Sequence, residues 1–219
     1  MKKQTKGFFI SFEGGEATGK TTQIKKIRNW FKKNKVPHTL TREPGGTKLS
    51  ENLRKIILSS KYKINTKIEV FLLMVSRIDH INRIILPALK NKKVIISDRY
   101  VDSTAIYQGY YNKFGIKNVY DLHKQYLNNI LPHLTFYFDV DTATTSARLR
   151  KRKIKNKYDI IEKKFNNKIR KGYLKIAKNN KRFIIINASL NKEEIHKIII
   201  NKLLKEFSKN GFRVSKKGN

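Results

Sequence analysis

Residues 8–22 read Phe8-Phe9-Ile10-Ser11-Phe12-Glu13-Gly14-Gly15-Glu16-Ala17-Thr18-Gly19-Lys20-Thr21-Thr22, and the fold turns on them. An apolar run, Phe8 to Phe12, gives way to Gly14-x-x-x-x-Gly19-Lys20-Thr21; Gln23-Ile24-Lys25-Lys26-Ile27 then continues with helical spacing. Strand, glycine loop and helix in this order are the setting in which the spacing works as a phosphate loop. Gly14 and Gly19 let backbone N–H groups converge on crowded anionic oxygens. The helix opening at Thr21 turns its positive end to the same point. Lys20 is expected to bridge the β- and γ-phosphates of a nucleoside triphosphate, and the Thr21 hydroxyl to reach Mg²⁺. Gly14, Gly15, Glu16, Ala17, Thr18, Gly19, Lys20 and Thr21 are thus the candidate binders of the donor, taken as ATP.

Outward from this loop, 219 residues suffice for one α/β domain with a sizeable core. The chain has no cysteine, which excludes disulfides and thiolate metal sites and fits a reducing compartment. Its basic N-terminus runs straight into the phosphate loop, unlike a cleaved signal, and no apolar run approaches a membrane span, so a cytoplasmic protein without a membrane partner is expected. The formal net charge of +34 suggests a nucleic-acid or membrane surface. Its lysines are spread over nearly every expected surface, however, and rise together with Asn and Ile, as in an A/T-rich coding bias. No specific nucleic-acid partner is expected.

Further along, His38 to Thr41 reads as a second strand delivering Arg42-Glu43-Pro44-Gly45-Gly46-Thr47 beside the phosphate loop, since ligands bind outside the carboxyl ends of strands in open α/β sheets. Helices are predicted over 21–34, 48–58 and 66–85. Arg77 interrupts the apolar stripe of the third, so it is either paired structurally or aimed into a pocket. A third strand, Val94 to Ser97, ends in Asp98-Arg99-Tyr100. Asp98 is placed like a Walker-B aspartate near Mg²⁺. The residue after it is Arg99, not the glutamate of a hydrolysing ATPase, and a cation there suits a second phosphate. A helix beginning near Ser103 carries Ser103, Thr104, Tyr107 and Gln108 on a polar and aromatic face suited to a nucleobase and sugar. Segment 116–130 is a further helix. Leu134 to Val140 reads as a central strand buried on both faces. After a helix over 142–151, the cation-rich run Arg148 to Lys157 reads as a lid over ATP. Helix (160–178), strand (182–187) and helix (192–207) complete a five-stranded parallel sheet covered on both faces, with a frayed basic tail from Ser208.

With these residues together, the chain resembles the thymidylate kinase family, P-loop enzymes that phosphorylate dTMP to dTDP. The resemblance rests on EGGEATGKTT, on TREPGGT at 41–47, on DRY at 98–100 with STAIYQG at 103–109, on FDV at 138–140 and on IRKGYLKIA at 169–177. It implies a P-loop kinase domain over 1–207 with a lid near 148–159, and a homodimer formed through the helices around 48–85. It implies that Arg54 and Arg99 hold the acceptor phosphate, that Arg77 meets the thymine edge, and that Tyr107 sits where a 2′-hydroxyl would collide. Glu43 and Pro44 join the acceptor site. Glu16 within the loop, with Arg148, Arg150 and Arg152 in the lid, resembles the bacterial arrangement in which the lid supplies the catalytic cation.

The chain departs from the family pattern in three ways. Leu73 stands where the family usually has a phenylalanine that stacks on the base, so base affinity or selectivity is expected to fall unless Phe71 compensates; such stacking is worth roughly 1–3 kcal/mol. The lid motif reads Asn156-Lys157-Tyr158-Asp159 in place of Asp-Arg-aromatic-Glu, and the extra positive charge has no counterpart in the family's chemistry. The mechanism implied is in-line transfer of the ATP γ-phosphoryl to a dTMP phosphate oxygen, with Lys20, Mg²⁺ on Thr21 and Asp98, Arg99 and a lid arginine sharing the charge. Other readings are a kinase for another nucleotide or nucleoside, and a basic nucleic-acid-binding P-loop ATPase.

Overall fold

Residues 8–13 form strand β1 (Phe8–Glu13), fully buried along its length. The computed structural model describes residues 7–59, 61–150, 157–178, 180–212 and 214. Strands β2 (His38–Arg42), β3 (Val94–Asp98), β4 (Leu134–Asp139) and β5 (Phe183–Asn187) join β1 in one sheet of order β2-β3-β1-β4-β5. All four pairings are parallel, as the alternation of strand and helix requires.

Side chains alternate across a strand, so β1 serves two cores. Phe8, Ile10 and Phe12 pack with α1 (Lys20–Lys33) and α9 (Lys192–Lys209) through Ile24, Ile27, Ile199, Leu203 and Phe207. Phe9 packs the other way, against Val70 and Met74 of α3 (Thr66–His80), Val101 of α5 (Val101–Thr104) and Val119 of α6 (Ile116–Tyr126). Ser11 and Glu13 share the face of Phe9, which carries a carboxylate into the interior at the end of β1. A third cluster joins α8 (Lys157–Lys178) to β4 and β5 through Tyr137, Ile169, Tyr173 and Phe183. Gly172 lets α8 approach residues 105–111 closely: a Cβ there would lie 2.8 Å from Tyr110 Cδ1.

The long helix expected to stop at Ile85 runs on. After α3 a π-helical turn, Ile81–Ile85, leads into α4 (Leu86–Lys90). Pro87 carries no N–H and its ring crowds the carbonyl four residues back, and the wider π turn absorbs it. A second π segment, Ala105–Tyr111, follows α5, which begins at Val101 and not near Ser103. Helix α6 ends at Tyr126, four residues earlier than expected, because Asn128 and Asn129 take positive φ. The last helix extends past Phe207 to Lys209, and Phe212 turns back onto the Phe207 ring at 4.9 Å, so residues 208–212 belong to the folded body and not to a frayed tail. Among the described residues no helix is long and apolar enough to cross a membrane. Of the expected lid, α7 (Thr142–Arg150) and the start of α8 are described; Arg152 and Asn156 lie outside the described residues.

Candidate active site

Register brings the functional loops together. Phe12 and Arg42 are both paired with Asp98, so Gly14, Glu43 and Arg99 leave adjacent strands side by side at their carboxyl ends. Between these loops lies a cavity of about 760 Å³. Its wall includes the phosphate loop from Glu16 to Thr21, then Glu43, Pro44, Arg54, Leu73 and Arg77, then Asp98, Arg99, Ser103, Thr104, Tyr107 and Gln108. Every one of the expected acceptor-site residues lines it.

The phosphate loop passes from β1 into α1 through positive φ at Gly14 (139°), Ala17 (58°) and Gly19 (94°). A Cβ on Gly14 would lie 2.9 Å from the Phe138 carbonyl, so β4 also excludes a side chain there. The Lys20 ammonium donates to the carbonyls of Gly14 (2.9 Å) and Gly15 (2.6 Å), arched over the loop. Thr21 and Asp98 face the same cavity.

Four arginines, Arg42, Arg54, Arg77 and Arg99, line the cavity. Arg54 donates to the Pro44 carbonyl at 2.8 Å. Its guanidinium is held below the ordinary range, first by burial and then by Arg42, with Arg99 adding to it. Cations crowded until they disfavour one another make an anion site. Arg99 adopts φ 71°. It donates through Nη2 to Glu16 (2.7 Å) and through Nη1 to the Gly14 carbonyl (2.9 Å), and the Tyr107 ring lies 5.4 Å from its Cζ. Burial opposes its charge, yet Tyr107, Glu16, Tyr173 and Asp98 together hold it ionised above its usual value.

Arg77 resolves both alternatives at once: it is paired and it faces the cavity. It is 2% exposed, donates to Glu43 (2.7 Å) and Thr104 (2.8 Å), and sits over the Tyr100 ring. The other Glu43 oxygen meets His80 Nδ1 at 2.9 Å, and His80 Nε2 meets Thr41 Oγ1. Arg77, His80 and their hydrogen bonds hold the Glu43 carboxyl below its usual range against burial. Glu43 is thus committed to aiming Arg77. Leu73 is 6% exposed and lines the cavity, whereas Phe71 is 55% exposed, absent from its wall, and supplies no ring to it.

Glu69, on α3, carried no motif signal. Tyr158, within the expected lid motif, donates to Glu69, and Gln108 Nε2 donates to both Glu69 (2.8 Å) and Tyr158 Oη (3.1 Å). The Tyr158 ring stands edge-on to Tyr107 at 5.1 Å. These partners come from α3, the π turn after α5, and α8, separations that no local pattern reports. Of the lid cations, Arg148 reaches the Ala17 carbonyl (3.4 Å) and the Ala188 carbonyl (3.5 Å), spanning the phosphate loop and the β5–α9 connection. Arg150 is exposed. Among the described residues no group of three His, Cys, Asp or Glu is arranged to hold a metal by itself.

Behind the loop, Glu13 is fully buried, and burial together with Asp102 pushes its carboxyl up to about 7 despite the pull of Arg99. A carboxyl raised above its unfolded value contributes stability at low pH that is lost as pH rises through the folded value. Wild type should therefore lose stability relative to Glu13→Gln between roughly pH 4.5 and 7. Urea unfolding of both proteins at about pH 5 and about pH 8 checks this, and a parallel pH dependence would refute it.

Comparison with known proteins identifies the family. The thymidylate kinase family model matches residues 12–199. The chain belongs to the thymidylate kinase family. It is 36% identical to a thymidylate kinase of Kosmotoga olearia over 197 residues, covering 90% of this chain and 95% of that protein. It is 38% identical to that of Rickettsia bellii over 201 residues, covering 91% and 97% respectively. The crystal structure of thymidylate kinase from Ehrlichia chaffeensis superposes with a TM-score of 0.72 at 30% identity, over 90% of this chain and 99% of that one.

Proposed function

We propose that this protein transfers the γ-phosphoryl group of ATP to dTMP, giving ADP and dTDP. The observation that carries the reading is the single cavity that joins the phosphate loop to a second cationic pole, Arg54 with Arg99, and to the deep wall of Leu73, Arg77, Tyr107 and Gln108. One end suits a triphosphate; the other suits a nucleotide that brings its own phosphate.

A dTMP phosphate oxygen is already anionic, so it attacks the γ-phosphorus without a general base. The new P–O bond forms as the bond to the β–γ bridging oxygen breaks, and ADP leaves with that electron pair. What the protein contributes is alignment and charge neutralisation. Lys20 swings from its loop carbonyls onto the β- and γ-phosphates. Arg54 and Arg99 hold the acceptor phosphate in line. Arg148, with the cations that follow it, closes the donor side and excludes water. Arg77, aimed by Glu43, meets the thymine edge, and Tyr107 favours deoxyribose. Thr21 and Asp98 offer hard oxygen donors beside Lys20 on the cavity wall, and this donor set fits Mg²⁺. Bound there with ATP, Mg²⁺ would neutralise charge developing on the β- and γ-phosphates.

An ADP-release assay across dTMP, dUMP, dCMP, UMP, AMP, GMP and thymidine tests the reading. Turnover with dTMP far above the rest is expected; turnover with none, or hydrolysis stimulated by oligonucleotides, overturns it. In the same assay Leu73→Phe should lower the KM for dTMP about tenfold, since a ring regains stacking of roughly 1–3 kcal/mol. An unchanged KM would show that Leu73 does not face the base.

We assign a cytoplasmic homodimer. Ile68, Phe71, Val75 and Ile78 form one exposed stripe on α3, and Leu49 and Ile56 of the adjoining α2 (Lys48–Leu58) are exposed beside it. An apolar face of this kind asks for cover. Light scattering should give twice the 25.7 kDa of the chain, and Phe71→Glu should halve it. A wild-type monomer at micromolar concentration would refute the dimer.

A further inference from the structure

Arg99 is held in an unfavourable backbone conformation, and the holding group is a residue that touches no substrate in the mechanism above. A non-glycine residue at φ 71° is strained, and persists only where its surroundings over-determine it. The Arg99 N–H donates to the Phe12 carbonyl (3.0 Å), and its own carbonyl accepts from the Ser97 hydroxyl (2.7 Å). The next N–H, that of Tyr100, donates to Glu13 Oε1 at 2.7 Å. Glu13 thus fixes the peptide unit that follows the strained residue.

The same carboxylate governs the far end of the side chain. Glu13 Oε2 accepts from the Ser103 hydroxyl (2.7 Å) and the Tyr173 hydroxyl (3.1 Å). Both hydroxyl oxygens in turn accept from Arg99 Nη1, at 3.1 and 3.3 Å. The two hydroxyls also lie 3.0 Å from each other, so Glu13, Ser103 and Tyr173 form one hydrogen-bonded cluster against the guanidinium. Glu13 is therefore wired to Arg99 at backbone and tip. Tyr173 lies on α8 past its non-helical break at Phe165 (φ −132°, ψ 23°), so the second half of that helix is tied into the same network.

We propose that Glu13 is a positioning residue for phosphoryl transfer: buried behind the phosphate loop, it sets the backbone of Arg99 and, with the Ser103 and Tyr173 hydroxyls, the orientation of its guanidinium. The inference rests on the function proposed above, in which Arg99 holds the acceptor phosphate.

A double-mutant cycle tests it. Glu13→Gln should lower kcat/KM for dTMP about 10–100-fold in the wild-type background and by no more than about 3-fold when Arg99 is already alanine, because residues that act as one unit are strongly non-additive. The KM for ATP should stay within about 3-fold, since the phosphate loop keeps its own contacts. Tyr173→Phe, which keeps the ring stacked on Tyr137, provides a milder arm should Glu13→Gln fail to fold; it should cost several-fold in wild type and nothing in Arg99→Ala. Independently of turnover, ¹⁵N spectra of the free protein should show Arg99 Nη groups in slow rotation, averaging in Glu13→Gln. Additive losses, or guanidinium signals unmoved by the substitution, overturn the proposal. Absence of dTMP turnover in wild type would instead strike the proposed function, and the ¹⁵N comparison would still decide the role of Glu13.

Discussion

Lys20→Ala should lower kcat by about 10²–10³-fold, the usual cost of removing one preorganised charge donor from a transferring phosphoryl group. The ammonium in this structure is satisfied by the Gly14 and Gly15 carbonyls at 2.9 and 2.6 Å. It is therefore already stationed over the loop, and reaching the phosphates exchanges neutral acceptors for anionic ones. The gain falls where charge spreads in the transition state, so the loss should appear in kcat more than in the KM for dTMP. The substitution removes no core contact, because Lys20 opens α1 with its side chain toward the cavity. Circular dichroism and thermal unfolding should be close to wild type, and near wild-type turnover would refute the assigned role.

Arg99→Ala should act at the other pole, lowering kcat/KM for dTMP by about 10²–10³-fold while the KM for ATP changes little. Two structural consequences accompany it. The backbone strain at φ 71° is relieved little by alanine, which tolerates that region poorly as well. Glu16 loses its 2.7 Å bond to the guanidinium, a structural loss separate from the chemical one. Arg99→Lys should recover only part of the activity, since an ammonium cannot span Glu16 and Gly14 as the planar fork does. Steady-state kinetics with each substrate varied, beside a measured Tm, separates the chemical loss from the structural one. Retention of dTMP turnover in a folded Arg99→Ala protein would remove Arg99 from the mechanism.

Much of the site is legible in the chain because its parts are local. The glycine spacing from Gly14 to Lys20, the acidic residue ending β3 and the polar run from Ser103 to Gln108 all lie at the carboxyl ends of strands, where a parallel sheet delivers them to one crevice. What remained illegible depends on partners far apart in sequence. The pairing of Glu43 with Arg77 spans 34 residues, that of Glu16 with Arg99 spans 83, and the bond from Tyr173 to Glu13 spans 160. The π turns at Ile81–Ile85 and Ala105–Tyr111 were also invisible, since they answer to Pro87 and to packing, not to a propensity.

By itself the sequence determined a strand, glycine loop and helix, a parallel α/β sheet and a second cation delivered to the same crevice. Those follow from backbone freedom at glycine, from apolar periodicity and from charge, each a property of neighbours along the chain. Only the tertiary structure decided that Arg77 is both paired and open to the cavity, that Phe71 faces outward and leaves Leu73 as the wall, and that Arg99 is held by a buried glutamate behind the loop. Orientation and partner choice are set by which surfaces meet when the strands align, and register between distant strands is not written in any one of them.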